Sequence, residues 1–282
     1  MIFLNLLFWT ILGTVVAGVL ALIPGLHLYG VMGYFLLWYG AHLHIIPAEY
    51  VAVMFMAGIV SWAIINTVPA MFLGAPDESA MFVVLPGQKY MLQGKGYEAA
   101  ILTGLGSLGG IIALWLLFPV SFHLVKYIKK LIAPHFFWIL GLIIVYIIAS
   151  EWPKATLRAK TALGRVLEGL KSCGAGFLTL LLSGALGLVV MNRTLIPVEK
   201  AFQSLMPAFV GLFAVPWVIT NIISKTEIPK QYTAGASIDV NSSVIIRGTV
   251  AGTLGGAFAA LMPGVTGGIG GLLSGHAIGP EG

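Results

Sequence analysis

Two carboxylates stand side by side at Asp77 and Glu78, with Ser79 next to them, in the stretch NTVPAMFLGAPDESAMFVVLPGQKYMLQGKGYE from Asn66 to Glu98. Pro69 closes one apolar run, Gly74-Ala75-Pro76 introduces the acids, and a second apolar run follows. Adjacent acids between apolar arms describe a hairpin dipping into a membrane with its tip wet. An ionisable pair buried there suits coupling to a proton or a sodium ion. The same residues also read as an ordinary surface loop opening a helix, with Asp77 or Glu78 near its N-terminus. Asn66, at the head of the stretch, joins Asp77 and Glu78 as a candidate ion-coupling residue.

A second chemistry belongs to backbone groups. Gly13 to Gly25 reads GTVVAGVLALIPG, and Gly252 to Gly264 reads GTLGGAFAALMPG. At one constant offset, without a gap, Gly13 pairs with Gly252, Thr14 with Thr253, Ala21 with Ala260, Pro24 with Pro263 and Gly25 with Gly264. A Pro-Gly inside a span removes a donor and turns the chain, leaving N–H and C=O groups unpaired at membrane depth. A half-helix starting after such a break presents amides and the positive end of its dipole, which suits a carboxylate or a phosphate. His27 and Thr266 follow the two breaks at matching positions and are candidate donors to a bound anion, with Gly267 beside Thr266. A lone histidine among apolar residues is more often a packing residue, and what marks His27 is its place directly after the break. Repeated, interrupted helices of this kind are the sequence trace of secondary transporters.

The elements that must position these groups are apolar spans. Hydrophobic residues make up 59% of the chain and charged residues 9%, with a mean hydropathy of +0.99, far from the quarter or so of charged residues usual in soluble domains. The chain is therefore read as an all-α polytopic membrane protein. Apolar runs near 2–23, 26–44, 50–68, 98–119, 131–149, 172–191, 204–223 and 245–262 give about eight crossings at ~20 residues each. If 26–44 crosses fully, the two Pro-Gly helices run antiparallel, as an inverted repeat requires; if it only dips in, they run parallel. Residues 1–150 form the first repeat, 151–171 a basic linker and 172–282 a second, incomplete repeat.

The linker carries Lys154, Arg158, Lys160, Arg165 and Lys171. The positive-inside rule places it in the cytoplasm, against the competing cluster Lys126, Lys129 and Lys130. Arg158 and Arg165 with Leu157, Leu163, Val166, Leu167 and Leu170 have the spacing of an amphipathic surface helix or of a solvated linker helix. The basic balance, in short loops, points to lipid headgroups and not to nucleic acid. The one cysteine, Cys173, allows no internal disulfide. Neither GxxxxGK[ST] nor HExxH occurs, so nucleotide-driven pumping and zinc hydrolysis are set aside. Asp239 and Asn241 read as an N-terminal cap for the span near Val244.

The break ALIPGLH, the loop FLGAPDESAMFVVLPGQKYMLQGKGYEAA, the run SLMPAFVGLFAVP and the second break AALMPGVTGG resemble the large membrane subunit of tripartite tricarboxylate transporters, and specifically its compact archaeal-type relatives. The resemblance extends over most of the chain. It implies a permease of inverted repeats that imports carboxylates by cation coupling, usually with a small membrane subunit and an extracytoplasmic binding protein. Its substrate site would lie between Pro24-Gly25, Pro263-Gly264 and the loop from Gly74 to Ser79. The family loop usually carries small neutral residues where this chain has Asp77 and Glu78. Carboxylates there repel an anion unless they are protonated or bound to a cation. The second copy has no counterpart of the Gly74 to Glu98 element, so the chain is expected to be a fragment of a longer permease, or to have the arm supplied by a partner subunit or a second protomer.

The expectation is a multi-pass, non-enzymatic permease of the cell membrane. It moves a small organic anion, a carboxylate, by alternating access, with sodium or a proton as coupling ion and no other cofactor or metal. The anion would meet Pro24, Gly25, His27, Gly74, Ser79, Pro263, Gly264, Thr266 and Gly267. Asp77, Glu78 and Asn66 would handle the coupling ion. A translocase of a lipid-linked phosphate, or a membrane scaffold docking a soluble partner through its basic loop, are the other functions these features admit.

Overall fold

A computed structural model describes residues 2–23, 26–42, 45–74, 81–153, 161–192, 210–224, 229–233 and 241–278. Pro24, Gly25, Asp77, Glu78 and Ser79 lie outside the described residues. The described residues are helical almost throughout: α1 (Ile2–Ala21), α2 (Leu28–Ala41), α3 (Ala48–Ile65), α4 (Thr67–Leu73), α5 (Met81–Leu92), α6 (Gly96–Ile132), α7 (Phe136–Ser150), α8 (Ala162–Asn192), α9 (Val215–Ser224), α10 (Ser242–Leu261) and α11 (Gly267–Ile278). Among the described residues five stretches are long and apolar enough to cross a membrane: Ile2–Ala21, Ala48–Leu73, Gly96–Ser150, Ala162–Asn192 and Ser242–Leu261. Large apolar side chains face outward along them, Phe137 at 78% and Trp138 at 69% exposure among them. A surface of that kind is stable against acyl chains and not against water. The chain is an all-α polytopic membrane protein.

Two compact units divide it, Met1–Val120 with Phe202–Gly282, and Ser121–Ala201. In the first, α1 packs along α3. Asn5 and Trp9 meet Tyr50, Ala17 meets Gly58, and Gly18 meets Ser61 and Ile65, so the two helices run parallel. Small residues make this approach possible, because a Cβ on Gly13 would collide with the carbonyl of Met54. Where lipid offers no hydrophobic drive, such close packing and the bond from the Ser61 hydroxyl to the Thr14 carbonyl (2.7 Å) hold the pair together. Between them α2 runs back beside α3, Met32 against Gly58 and Phe35 against Phe55. The run 26–44 therefore returns the chain to the end at which α1 began, although α2 itself has only 14 residues.

α3 leads almost without interruption into α4. Pro69 has no N–H for the carbonyl of Ile65, and the rod loosens at Asn66, whose backbone still bonds to Trp62 and Ala70. Gly74 then takes a left-handed conformation (φ 63°), the usual way to end a helix and turn the chain. α5 comes back across α4, with Met71 lodged where a side chain on Gly87 would sit and Ala70 buried with Val84. The seven residues of α4 and twelve of α5 are each too short on their own to span ~30 Å of hydrocarbon.

α10 and α11 form a tight antiparallel pair in which Gly255 and Gly270 meet backbone to backbone. Asn241 caps α10, its side chain accepting from the Ser243 amide at 2.9 Å, as its position ahead of Val244 predicts.

In the second unit α7 packs on α8, with the Trp152 ring over Gly169 and Glu151 against Gly176. Two sequence boundaries move. Residues 123–130, between the apolar runs 98–119 and 131–149, are helical, and α6 continues to Ile132 before a short turn at Ala133–His135. Lysine has good helix propensity and its stem covers apolar surface, so Lys126, Lys129 and Lys130 do not end the helix. Likewise Ala162 to Lys171 are not a separate surface helix but the first turns of α8.

Candidate functional site

The two breaks have the same local construction. In the first, α1 ends at Ala21, and the Leu26 amide bonds to the Ile23 carbonyl (3.3 Å) across Pro24-Gly25. In the second, α10 ends at Leu261, and the Val265 amide bonds to the Met262 carbonyl (3.4 Å) across Pro263-Gly264. Gly264 has φ 76°, and proline followed by a positive-φ glycine is the signature of a type II turn. The next residue is in each case the cap of a new helix. His27 Nδ1 accepts from the Tyr29 amide at 3.3 Å ahead of α2, and Thr266 Oγ1 accepts from the Ile269 amide at 3.4 Å ahead of α11. The carbonyls match as well, His27 accepting from Val31 and Thr266 from Gly270. The backbone bonds reproduce the register read from the sequence, while the side-chain caps differ by one residue in the amide they accept from.

The side chains of His27 and Thr266 serve their own helices as acceptors, which differs from the donor role expected of them. An anion at either break would compete with the cap or take the amides left over, those of Leu28 in the first and of Gly267 and Gly268 in the second. The Thr266 hydroxyl keeps its hydrogen for a second partner while accepting from Ile269. Thr266 is half-buried, and Pro263, Gly264 and Gly267 are exposed.

The α4–α5 hairpin has neighbours from both copies. On one side, Ile65 at the end of α3 packs against the cluster of Ala17, Ala21, Leu28 and Trp62, with Leu26 beside it, so the residue before Asn66 adjoins the first break. Asn66 is itself buried (8% exposed). On the other side, α5 packs on α11, the helix that follows the second break. The segment 75–80, with the acidic pair, lies outside the described residues, and Gly74 before it is buried. Among the described residues no cluster of three metal-ligating side chains occurs.

Two features escaped the sequence reading. One is Glu98, in the first turn of α6, with 4% of its surface exposed and its Oε2 without a hydrogen-bond partner; Lys95 Nζ lies 3.7 Å away. Its signal was there, a lysine and a glutamate three apart at the start of an apolar run. The other is a strap at 229–233. Gln231 accepts from the Gly96 amide (3.0 Å) and donates to the carbonyls of Met91 (3.0 Å) and Pro229 (2.7 Å). The Tyr232 amide bonds to the Gly94 carbonyl at 2.8 Å. Gly94 itself sits at φ 78°, with the Tyr232 ring close against it. No local pattern announces a contact across more than a hundred residues.

Comparison with known proteins agrees with this architecture. The model of the tripartite tricarboxylate transporter TctA family matches residues 7–278. An uncharacterized protein of Methanocaldococcus jannaschii is 28% identical over 269 residues, which cover 94% of this chain and 59% of the relative. The chain thus spans about three fifths of the length of the curated relative it matches. No solved structure matches. With a family match from the first helix to the last, and both interrupted helices inside it, the chain belongs to the tripartite tricarboxylate transporter TctA family.

Proposed function

We propose that the chain is a cation-coupled secondary transporter for a small organic anion, a carboxylate, working in the cell membrane by alternating access. The observation that carries this reading is the matching backbone bond and side-chain cap at the two breaks, with neighbours of the α4–α5 hairpin drawn from both copies. Two helix starts of positive potential supply the means to hold a negative group. The acidic pair on the hairpin supplies a place for sodium or a proton. Binding sites between interrupted helices of two repeats are the pattern of secondary transporters. On this reading residues 1–150 and 172–282 act as inverted repeats about the linker 151–171, and Pro24, Gly25, Gly74, Ser79, Pro263, Gly264 and Gly267 shape the site by backbone geometry. Membrane lipids surround it, and partner subunits or a second copy complete it, as in a tripartite system.

Uptake into proteoliposomes tests this. Radiolabelled citrate and simpler di- and monocarboxylates are offered under inward sodium and proton gradients. Gradient-dependent uptake of at least one is expected, and its absence under every gradient would overturn the reading. Thr266→Ala should weaken apparent affinity about tenfold, the worth of one hydrogen bond to a charged group, with expression unchanged.

A further inference from the structure

The second unit, which the site at the breaks does not use, holds a cleft of its own. α7 and α8 meet at one end, where the Glu151 stem rests on Gly176 and the Trp152 ring on Gly169. From there a space of about 530 Å³ runs between the two helices. Ile144, Ile147 and Ile148 of α7 and Leu180 of α8 give it hydrocarbon walls. Thr179 and Ser183 line it too, but their hydroxyls donate to the carbonyls of Ala175 (3.0 Å) and Thr179 (2.7 Å), one turn back on their own helix. Such back-bonding satisfies a hydroxyl in lipid and leaves the wall compatible with an alkyl chain. Polarity gathers at the end where the helices meet, at Glu151 and Ser172. Glu151 is the C-cap of α7, where the helix dipole is negative, so that a cation is favoured there and an anion is not. Trp152 stands beside it, 38% exposed, as aromatic residues do at the level of lipid headgroups.

We propose that this cleft binds one membrane lipid whose headgroup ends in a primary ammonium, as in phosphatidylethanolamine. The alkyl chain lies along the isoleucine wall. The ammonium sits at the C-terminus of α7 and donates to the Glu151 carboxylate and the Ser172 hydroxyl. A hydrocarbon chain alone makes no use of the carboxylate, and a purely anionic headgroup is repelled by it. A metal ion needs several oxygen ligands around it, whereas the three donors of an ammonium are met by one carboxylate and a hydroxyl or two. The phosphate of the same lipid falls toward Arg165 and Lys171, in the turns of α8 that precede Ser172, with Glu168 as the acid between them in sequence. Charge thus selects a zwitterion with its amine toward α7, independently of what the carrier transports.

Lipid retention by the full chain tests this. The purified protein is exchanged through mixed micelles with equal amounts of phosphatidylethanolamine, phosphatidylcholine and phosphatidylglycerol, and native mass spectrometry reads the lipid that stays bound. One phosphatidylethanolamine per chain is expected, kept about tenfold over phosphatidylcholine, the worth of one hydrogen bond to a charged group. Choline carries the positive charge but no N–H donor. Glu151→Gln should erase the preference, and Ala175→Phe, which puts a ring into the cleft, should lower retention of every lipid. Equal retention of the three lipids, a preference for phosphatidylglycerol, a preference that survives Glu151→Gln, or retention unchanged in Ala175→Phe would overturn the proposal. The wild type gives a second reading that needs no variant. Phosphatidylethanolamine with a photoreactive group on its chain should label residues 144–148 or 175–180, and labelling confined to other segments would overturn the proposal as well.

Discussion

The two breaks share a turn and a cap but not a partner. After the second, α11 folds straight back on α10, and Gly255 and Gly270 touch through their backbones. The corresponding residues of the first copy are Val16 and Val31. Their branched side chains hold α2 off α1, and α1 instead takes α3 along its small face of Gly13, Ala17, Gly18 and Ala21. α10 keeps small residues at the equivalent places, Gly252, Gly256, Ala257 and Ala260, yet among the described residues nothing lies within 4 Å of where a Cβ on Gly252 or Gly256 would be. One local motif therefore supports two packings, and the choice is made a turn or two away from the break by residues with and without a Cβ.

The sharpest way to break this comparison is to give the second copy the residues of the first. The double change Gly255→Val, Gly270→Val should drive α11 away from α10. We expect a loss of about 2–6 kcal/mol at 1–3 kcal/mol per overpacked site, read as a lowered unfolding midpoint in detergent, with spin labels on the two helices moving apart. A smaller effect separates Gly13→Ala from Gly252→Ala. The first pushes a methyl into the Met54 carbonyl and should cost about 1–3 kcal/mol. The second meets open space and should stabilise the helix by up to ~1 kcal/mol. Equal effects on the unfolding midpoint would mean that the small face of α1 is not what fixes its partner. The smallest change is Thr266→Ala. Loss of the cap should cost about 0.5–2 kcal/mol and speed amide exchange at Ile269, with α10 unaffected.

Local features were legible in the sequence. The Pro-Gly turns, the Asn241 cap and the return at Gly74 each follow from a residue whose backbone preference or short side chain acts within four positions. The α4–α5 hairpin was legible because Pro69 and Gly74 punctuate an apolar run. Charge misled where it was taken as a boundary. Lys126, Lys129 and Lys130, and likewise Arg165 and Lys171, lie inside α6 and α8, because a basic side chain satisfies its head at some distance from its backbone. Gln231 was not legible at all, since an amide side chain that bridges Met91 and Gly96 looks in sequence like any residue of a polar loop. Glu98 stood in plain sight, but its burial is a property of the folded chain.

The strap also orders events during synthesis. The turn between α5 and α6 is closed by donors and acceptors on residues 231 and 232, some 135 to 140 positions downstream. Chains emerge from the ribosome N-terminus first, so the early helices enter the bilayer and wait, their turn held by water, until the later segment arrives. Closure of this long loop is then a late step in biogenesis, and a ribosome stalled before residue 231 would present a first hairpin already inserted and not yet fastened.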